Sequence, residues 1–155
     1  MQTYEATIAW ERGEQAFTDN RYSRAHDWRF DGGAVVRGSS APQSVPVPMS
    51  DPAAVDPEEA VVAAASSCHM LFFLAFAAKQ RFVVDSYVDH AVATMDRRAD
   101  GRTAIVRIVL RPRVAFSGDL RPTAEELAAL HHDAHEHCYI ANSLNGEIVV
   151  EPPQD

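Results

Sequence analysis

The chain has 155 residues, 46% apolar and 23% charged, the make-up of a folded domain with a sizeable core rather than of a disordered segment. Lys and Arg number 14 against 22 Asp and Glu, a net charge of −8. That sign repels phosphate backbones and anionic lipid, and so argues against nucleic-acid and membrane-surface partners.

Residues 1–155 read as a single domain without internal repeats. No basic stretch followed by an apolar run opens the chain, so a reducing cytosol is the expected compartment. There Cys68 and Cys138 are expected to be reactive or simply buried, not a structural staple. From Thr3 to Trp10, Tyr4, Ala6, Ile8 and Trp10 alternate onto one face, which predicts a strand. Glu11 to Ala25 is polar and carries Arg12, Arg21 and Arg24, a loop pattern. His26–Phe30 predicts a second strand, Asp31-Gly32-Gly33 a tight turn, and Ala34–Arg37 a third strand. Residues 39–54 hold Pro42, Pro46, Pro48 and Pro52 and predict an extended arm, long enough to suggest an interface or functional role.

Asp56, Pro57 and Glu59 mark a helix start with the spacing of a capping box. The apolar run from Ala60 to Ala78 reaches the length of a membrane span, but its centre holds Ser66, Ser67, Cys68 and His69. It reads instead as a central helix buried on all sides. Two long strands are expected next: Val83–Met95 with Val84, Val88 and Val92 inward, and Thr103–Phe116 with Val106, Ile108 and Leu110 inward. Thr123 and Glu126 form a second capping box, opening a helix that runs to about Cys138 with Leu127, Leu130, Ala134 and Cys138 as its apolar stripe. Asn145-Gly146 turns into a last strand, Glu147–Glu151. The expected fold class is α+β, order βββ-α-ββ-α-β, with helices packed on antiparallel sheets.

Cys68 shares helical spacing with Val61, Ala65 and Phe72, and Cys138 closes the second helix's stripe. Both point inward and could approach one another. They fit two readings: inert core thiols, or a redox pair in which one thiolate attacks and the other resolves the product as a disulfide. A peroxide-reducing thiolate needs a cation to stabilise it, which arginine supplies, and a carboxylate to hold that arginine. Glu58, ten residues before Cys68, lies about 80° from it around an ideal helix, leaving room for an arginine between. His131, His135 and Cys138 share a helix face and, with His69, could bind zinc in principle. Without a CxxC or HExxH pattern, no metal is expected. His69 or His26 could return a proton to a leaving alkoxide. No glycine-rich phosphate loop or G-x-S-x-G elbow is present, so nucleotide and serine-hydrolase chemistry have no support in the sequence.

The run Asp56-Pro57-Glu58-Glu59-Ala60-Val61-Val62-Ala63-Ala64-Ala65-Ser66-Ser67-Cys68 resembles the segment leading to the peroxidatic cysteine of the osmotically inducible protein C and organic hydroperoxide resistance (OsmC/Ohr) family. Ala134-His135-Glu136-His137-Cys138 resembles that family's second cysteine segment. The resemblance spans nearly the whole chain. Tyr139 after the second cysteine, where proline is common, and His69 after the first mark a divergent branch.

The resemblance implies an intertwined homodimer with active sites at the subunit interface, and a thiol-dependent peroxidase acting on organic hydroperoxides in oxidative stress defence. On this reading Cys68 attacks the O–O bond and becomes a sulfenic acid. Cys138 condenses with it to a disulfide, and an external dithiol such as a lipoyl group reduces that bond, so no bound cofactor is expected. Glu58 matches the glutamate that orients the catalytic arginine. That arginine is Arg24 or Arg37, with Arg24 favoured because a loop residue can reach into an interface. The competing expectation is a non-catalytic dimeric stress-associated or ligand-binding protein of the same fold.

Overall fold

A computed structural model of the chain describes residues 1–151. The chain forms two compact units, Met1–Ala60 and Val61–Asp155, whose boundary lies inside one helix.

In the N-terminal unit, β1 (Ala6–Ala9), β2 (His26–Phe30) and β3 (Val35–Gly38) make an antiparallel sheet in the order β1-β2-β3. The predicted turn closes β2 onto β3: Gly33 takes φ 87° and its N–H donates to the Phe30 carbonyl at 3.0 Å. Gly38 is needed for close approach, since a Cβ there would lie 2.6 Å from Trp28 Nε1. β1 is shorter than its alternation predicts, and Tyr4 and Ile8 stay exposed. Glu11 to Ala25 is a loop organised by aromatic packing, Phe17 stacking on Tyr22 with centroids 4.6 Å apart and Trp10 edge-on to Tyr22. The proline-rich arm contains no helix or ladder strand, as expected from four prolines. Ser39 pins it: its N–H donates to the Val55 carbonyl at 3.0 Å, and its Oγ accepts from the Asp51 N–H at 2.9 Å.

Helix α1 (Pro57–Lys79) begins with the predicted capping box. The Glu59 N–H donates to Asp56 Oδ1 at 2.7 Å, and the Asp56 N–H donates to Glu59 Oε2 at 3.1 Å.

The C-terminal unit departs from the sequence expectation in its strands. Four strands, not two, lie between the helices: β4 (Val83–Asp89), β5 (Val92–Arg97), β6 (Thr103–Leu110) and β7 (Pro112–Ser117). Each predicted long strand breaks where the chain changes sheets, at His90-Ala91 and at Arg111. β4 pairs with β7, whereas β5 and β6 pair in a second sheet with β8 (Glu147–Val150). Asp89 makes the corner, its Oδ1 accepting from the Arg111 N–H at 2.6 Å beside Pro112, which has no N–H to offer. β8 runs parallel to β6, a correction to the all-antiparallel expectation. Gly146 permits that approach, since a Cβ would meet the Ile105 carbonyl oxygen at 2.6 Å.

A β-bulge between Val84 and Ser86 reverses the alternation of β4. Val84 stays inward, but Tyr87 and Asp89 follow it, while Val88 and, beyond the break, Val92 are exposed. In β6 the predicted Ile108 and Leu110 are buried.

Helix α2 (Ala124–His137) is capped as predicted, with both hydrogen bonds between Thr123 and Glu126 present. Its buried residues, Leu130 and Ala134, join Phe73, Ala77 and Phe82 in one core cluster. Ala65, Ile108, Leu110 and Ile148 form a second. α1 is long and apolar enough to cross a membrane, but only one stripe of it is fully buried: Ala65, His69, Phe73 and Ala77. Full burial on every side, expected from composition, is not what one chain provides; Leu71 is 60% exposed.

Candidate active site

Two helices deliver the two sulfurs. Cys68 sits one residue before His69 of the buried stripe, at the stripe's half-buried edge with Val61 and Phe72. Cys138 is the C-cap of α2, where the chain leaves the helix with ψ 111° and enters a short 3₁₀ turn, Ala141–Ser143. It is 2% exposed, and its Sγ accepts from the Ala141 N–H at 3.4 Å. Both cysteines are free thiols. Cys68 lies near enough to influence the Cys138 thiol.

Burial pushes the Cys138 thiol up to about 11, with the neighbouring Cys68 adding to the rise and the Ala141 N–H opposing it. Cys138 is therefore a protonated thiol at neutral pH. The pair is chemically unequal: one sulfur is reachable from outside, and the other is withdrawn beside it.

The other predicted site residues lie in the N-terminal unit. Glu58 is half-buried in the first turn of α1. Arg37 is committed to an ion pair with Asp27, Nη1 to Oδ1 at 2.8 Å, and that hydrogen bond holds the Asp27 carboxyl below its usual range. Among the described residues, Arg24 has only uncharged partners. It donates to the Tyr22 carbonyl, and to Asn20 through the carbonyl at 3.1 Å and Oδ1 at 2.6 Å, with its guanidinium 3.8 Å above the Tyr22 ring. Its charge is held in place and not neutralised.

His69 faces the core. Its Nε2 meets His131 Nδ1 at 3.1 Å, the two rings nearly parallel at 9°, while its Nδ1 is buried without a partner. Burial first, then the two facing imidazoles of His131 and His135, lowers His69 to about 4. Burial lowers His131 to about 4 against the pull of Asp89. The Asp89 carboxylate also accepts from Ser66 Oγ, and the buried Tyr87 hydroxyl, raised by burial and by Asp89, has no partner. Sequence reading grouped His69 with His131 and His135 but missed Tyr87 and Asp89 in this polar layer between α1, β4 and α2, because the bulge that turns them inward leaves no mark on the β4 sequence. Among the described residues, no cluster of three or more His, Cys, Asp or Glu side chains is placed to hold a metal ion.

Residues 50–152 match the family described as OsmC-like protein. The chain belongs to that family. Among solved structures it is similar to an OsmC-like protein of unknown function from Vibrio cholerae, with 52% identity over 99% of this chain and 100% of that one and a TM-score of 0.97. More distant likenesses include the organic hydroperoxide resistance protein OhrB of Bacillus subtilis, at 18% identity over 98% of each chain and a TM-score of 0.67. Another is an organic hydroperoxide resistance protein from Elizabethkingia anophelis, at 17% identity over 98% of this chain and 94% of that one and a TM-score of 0.70. At those identities the likeness is one of fold. No curated protein matches the chain.

Proposed function

We propose that this OsmC-like protein is a thiol-dependent peroxidase that reduces organic hydroperoxides. The observation that carries the reading is the adjacency of two free thiols of unequal exposure, Cys68 half-buried and Cys138 withdrawn beside it. In the first step the Cys68 thiolate attacks the terminal oxygen of ROOH. An S–O bond forms, the O–O bond breaks, and the alkoxide leaves with a proton as ROH, giving Cys68 sulfenic acid. In the second step the Cys138 sulfur attacks Cys68, the S–O bond breaks, and water leaves as the disulfide forms. An external dithiol, of which a lipoyl group is one, exchanges with that disulfide, is itself oxidised, and returns both thiols. The elevated Cys138 supports its role as the resolving and not the attacking sulfur.

In this reading an arginine stabilises the Cys68 anion and Glu58 orients it. Arg24 is preferred to Arg37 because Arg37 already spends its charge on Asp27. A second copy of the chain completes the molecule, and it would cover exposed apolar residues of each unit, Tyr4, Ile8 and Val35 in the first and Leu71, Val92 and Met95 in the second. The whole chain then works as one domain of a cytosolic homodimer in defence against oxidative stress.

The assay is consumption of cumene hydroperoxide with a dithiol reductant. Wild-type protein is expected to turn over and Cys68→Ser to fall to the uncatalysed rate. Wild-type turnover by Cys68→Ser refutes the mechanism and favours a ligand-binding role for the fold.

A further inference from the structure

A cleft of about 660 Å³ opens along α2, walled by Val114 of β7, Leu127 and Ala128 of α2, and Ile148 and Val150 of β8. Its volume is that of a small-molecule site. His131, His132 and His135 reach it from α2, and no lysine or arginine lines it among the described residues.

The buried histidine pair decides what His131 presents to this cleft. Both imidazoles are neutral near pH 7, so each carries one proton on one of two nitrogens. The 3.1 Å contact between His69 Nε2 and His131 Nδ1 uses one proton, and two arrangements satisfy it. If His131 donated, the His69 proton would sit on Nδ1, a buried N–H without a partner. If His69 donates, only a lone pair is orphaned, which is the less costly deficit. The second arrangement wins. His131 must then carry its own proton on Nε2, the one ring nitrogen not engaged by His69. The titratable neighbours of the pair leave this unchanged: Asp89 of β4 is occupied by Ser66 and the Arg111 N–H, Tyr87 is held protonated, and His135 lies one turn along α2.

We propose that this cleft binds an uncharged carbonyl compound with an aliphatic body, its oxygen accepting a hydrogen bond from His131 Nε2–H and its chain lying against Val114, Leu127 and Val150. A fixed neutral donor in an apolar wall selects an acceptor. With no lysine or arginine in the wall and a net charge of −8 on the chain, a carboxylate meets no permanent countercharge there.

The test is calorimetric titration with methyl nonyl ketone and, separately, decanoate, without hydroperoxide or thiol, together with ¹⁵N imidazole spectra. Expected are saturable binding of the ketone, weaker binding of decanoate, and a His131 spectrum of the Nε2–H form that shifts on ketone addition. His131→Phe, which keeps the ring and removes the donor, is expected to weaken the ketone about tenfold. Ala128→Trp, which fills the cleft and leaves the histidine pair intact, is expected to abolish binding. Cys68→Ser is expected to bind as wild type, so the result stands apart from the peroxidase reading. No saturable ketone binding, equal affinity in His131→Phe, survival of binding in Ala128→Trp, an Nδ1–H form of His131, or tighter binding of decanoate each overturns the proposal.

Discussion

At the scale of residues, the functional contrast lies between two sulfurs in one environment. Cys138 is buried at a helix end and raised to about 11, so it waits as a thiol while Cys68 is reachable. Removing the waiting thiol separates the steps. In Cys138→Ser a single equivalent of hydroperoxide is expected to leave Cys68 with one added oxygen and no intramolecular bridge, measured by intact-protein mass. The histidine pair makes a second prediction, about stability. His69 and His131 are lowered to about 4 in the fold from an unfolded value of 6.5, so the unfolded chain binds more protons between those limits. Their contribution is complete above pH 6.5, shrinks as pH falls, and is gone by about pH 4. At pH 5 the loss is on the order of 1–2 kcal/mol for each imidazole. Denaturant unfolding at pH 7 and pH 5 measures it, and the double variant His69→Leu with His131→Phe is expected to flatten the difference.

At the scale of elements, the helices were written in local sequence and the strands were not. Both capping boxes form as the spacing predicts, because a cap is settled within four residues. Thr123→Ala is accordingly expected to cost about 1 kcal/mol of stability in chemical denaturation, and Thr123→Ser little of it. The strand boundaries fail for a different reason. The alternation across Val83–Met95 looks continuous, yet the bulge after Val84 and the sheet change at His90-Ala91 depend on partners distant in the chain. The same non-local cause hid Tyr87 and Asp89 in the polar layer, since they turn inward only after the bulge has shifted the register. The parallel pairing of β8 with β6 was likewise invisible in Glu147–Val150. Of the candidate site, the burial of Cys138 and the half-burial of Cys68 were legible because each sulfur ends or edges an apolar stripe.

At the scale of the whole molecule, the question is what lies against the exposed apolar residues. α1 buries one stripe and leaves Leu71 outside, and β1 leaves Tyr4 and Ile8 outside. Sedimentation equilibrium is expected to give twice the chain mass, and Leu71→Glu to shift the population toward single chains. A wild-type monomer at micromolar concentration would contradict the homodimer. Within the core, Phe73→Ala removes the fully buried ring between α1 and α2 and is expected to cost about 3–5 kcal/mol, read by denaturant midpoint.

The central claim is that Cys68 and Cys138 act as one redox unit. Its most direct test is peptide mass mapping of wild-type protein after one equivalent of cumene hydroperoxide, under conditions that block later thiol exchange. The account predicts loss of two hydrogens and a single Cys68–Cys138 crosslink, reversed by a dithiol. Two persistent free thiols, or a Cys68 oxidised beyond the sulfenic state with Cys138 untouched, would contradict it.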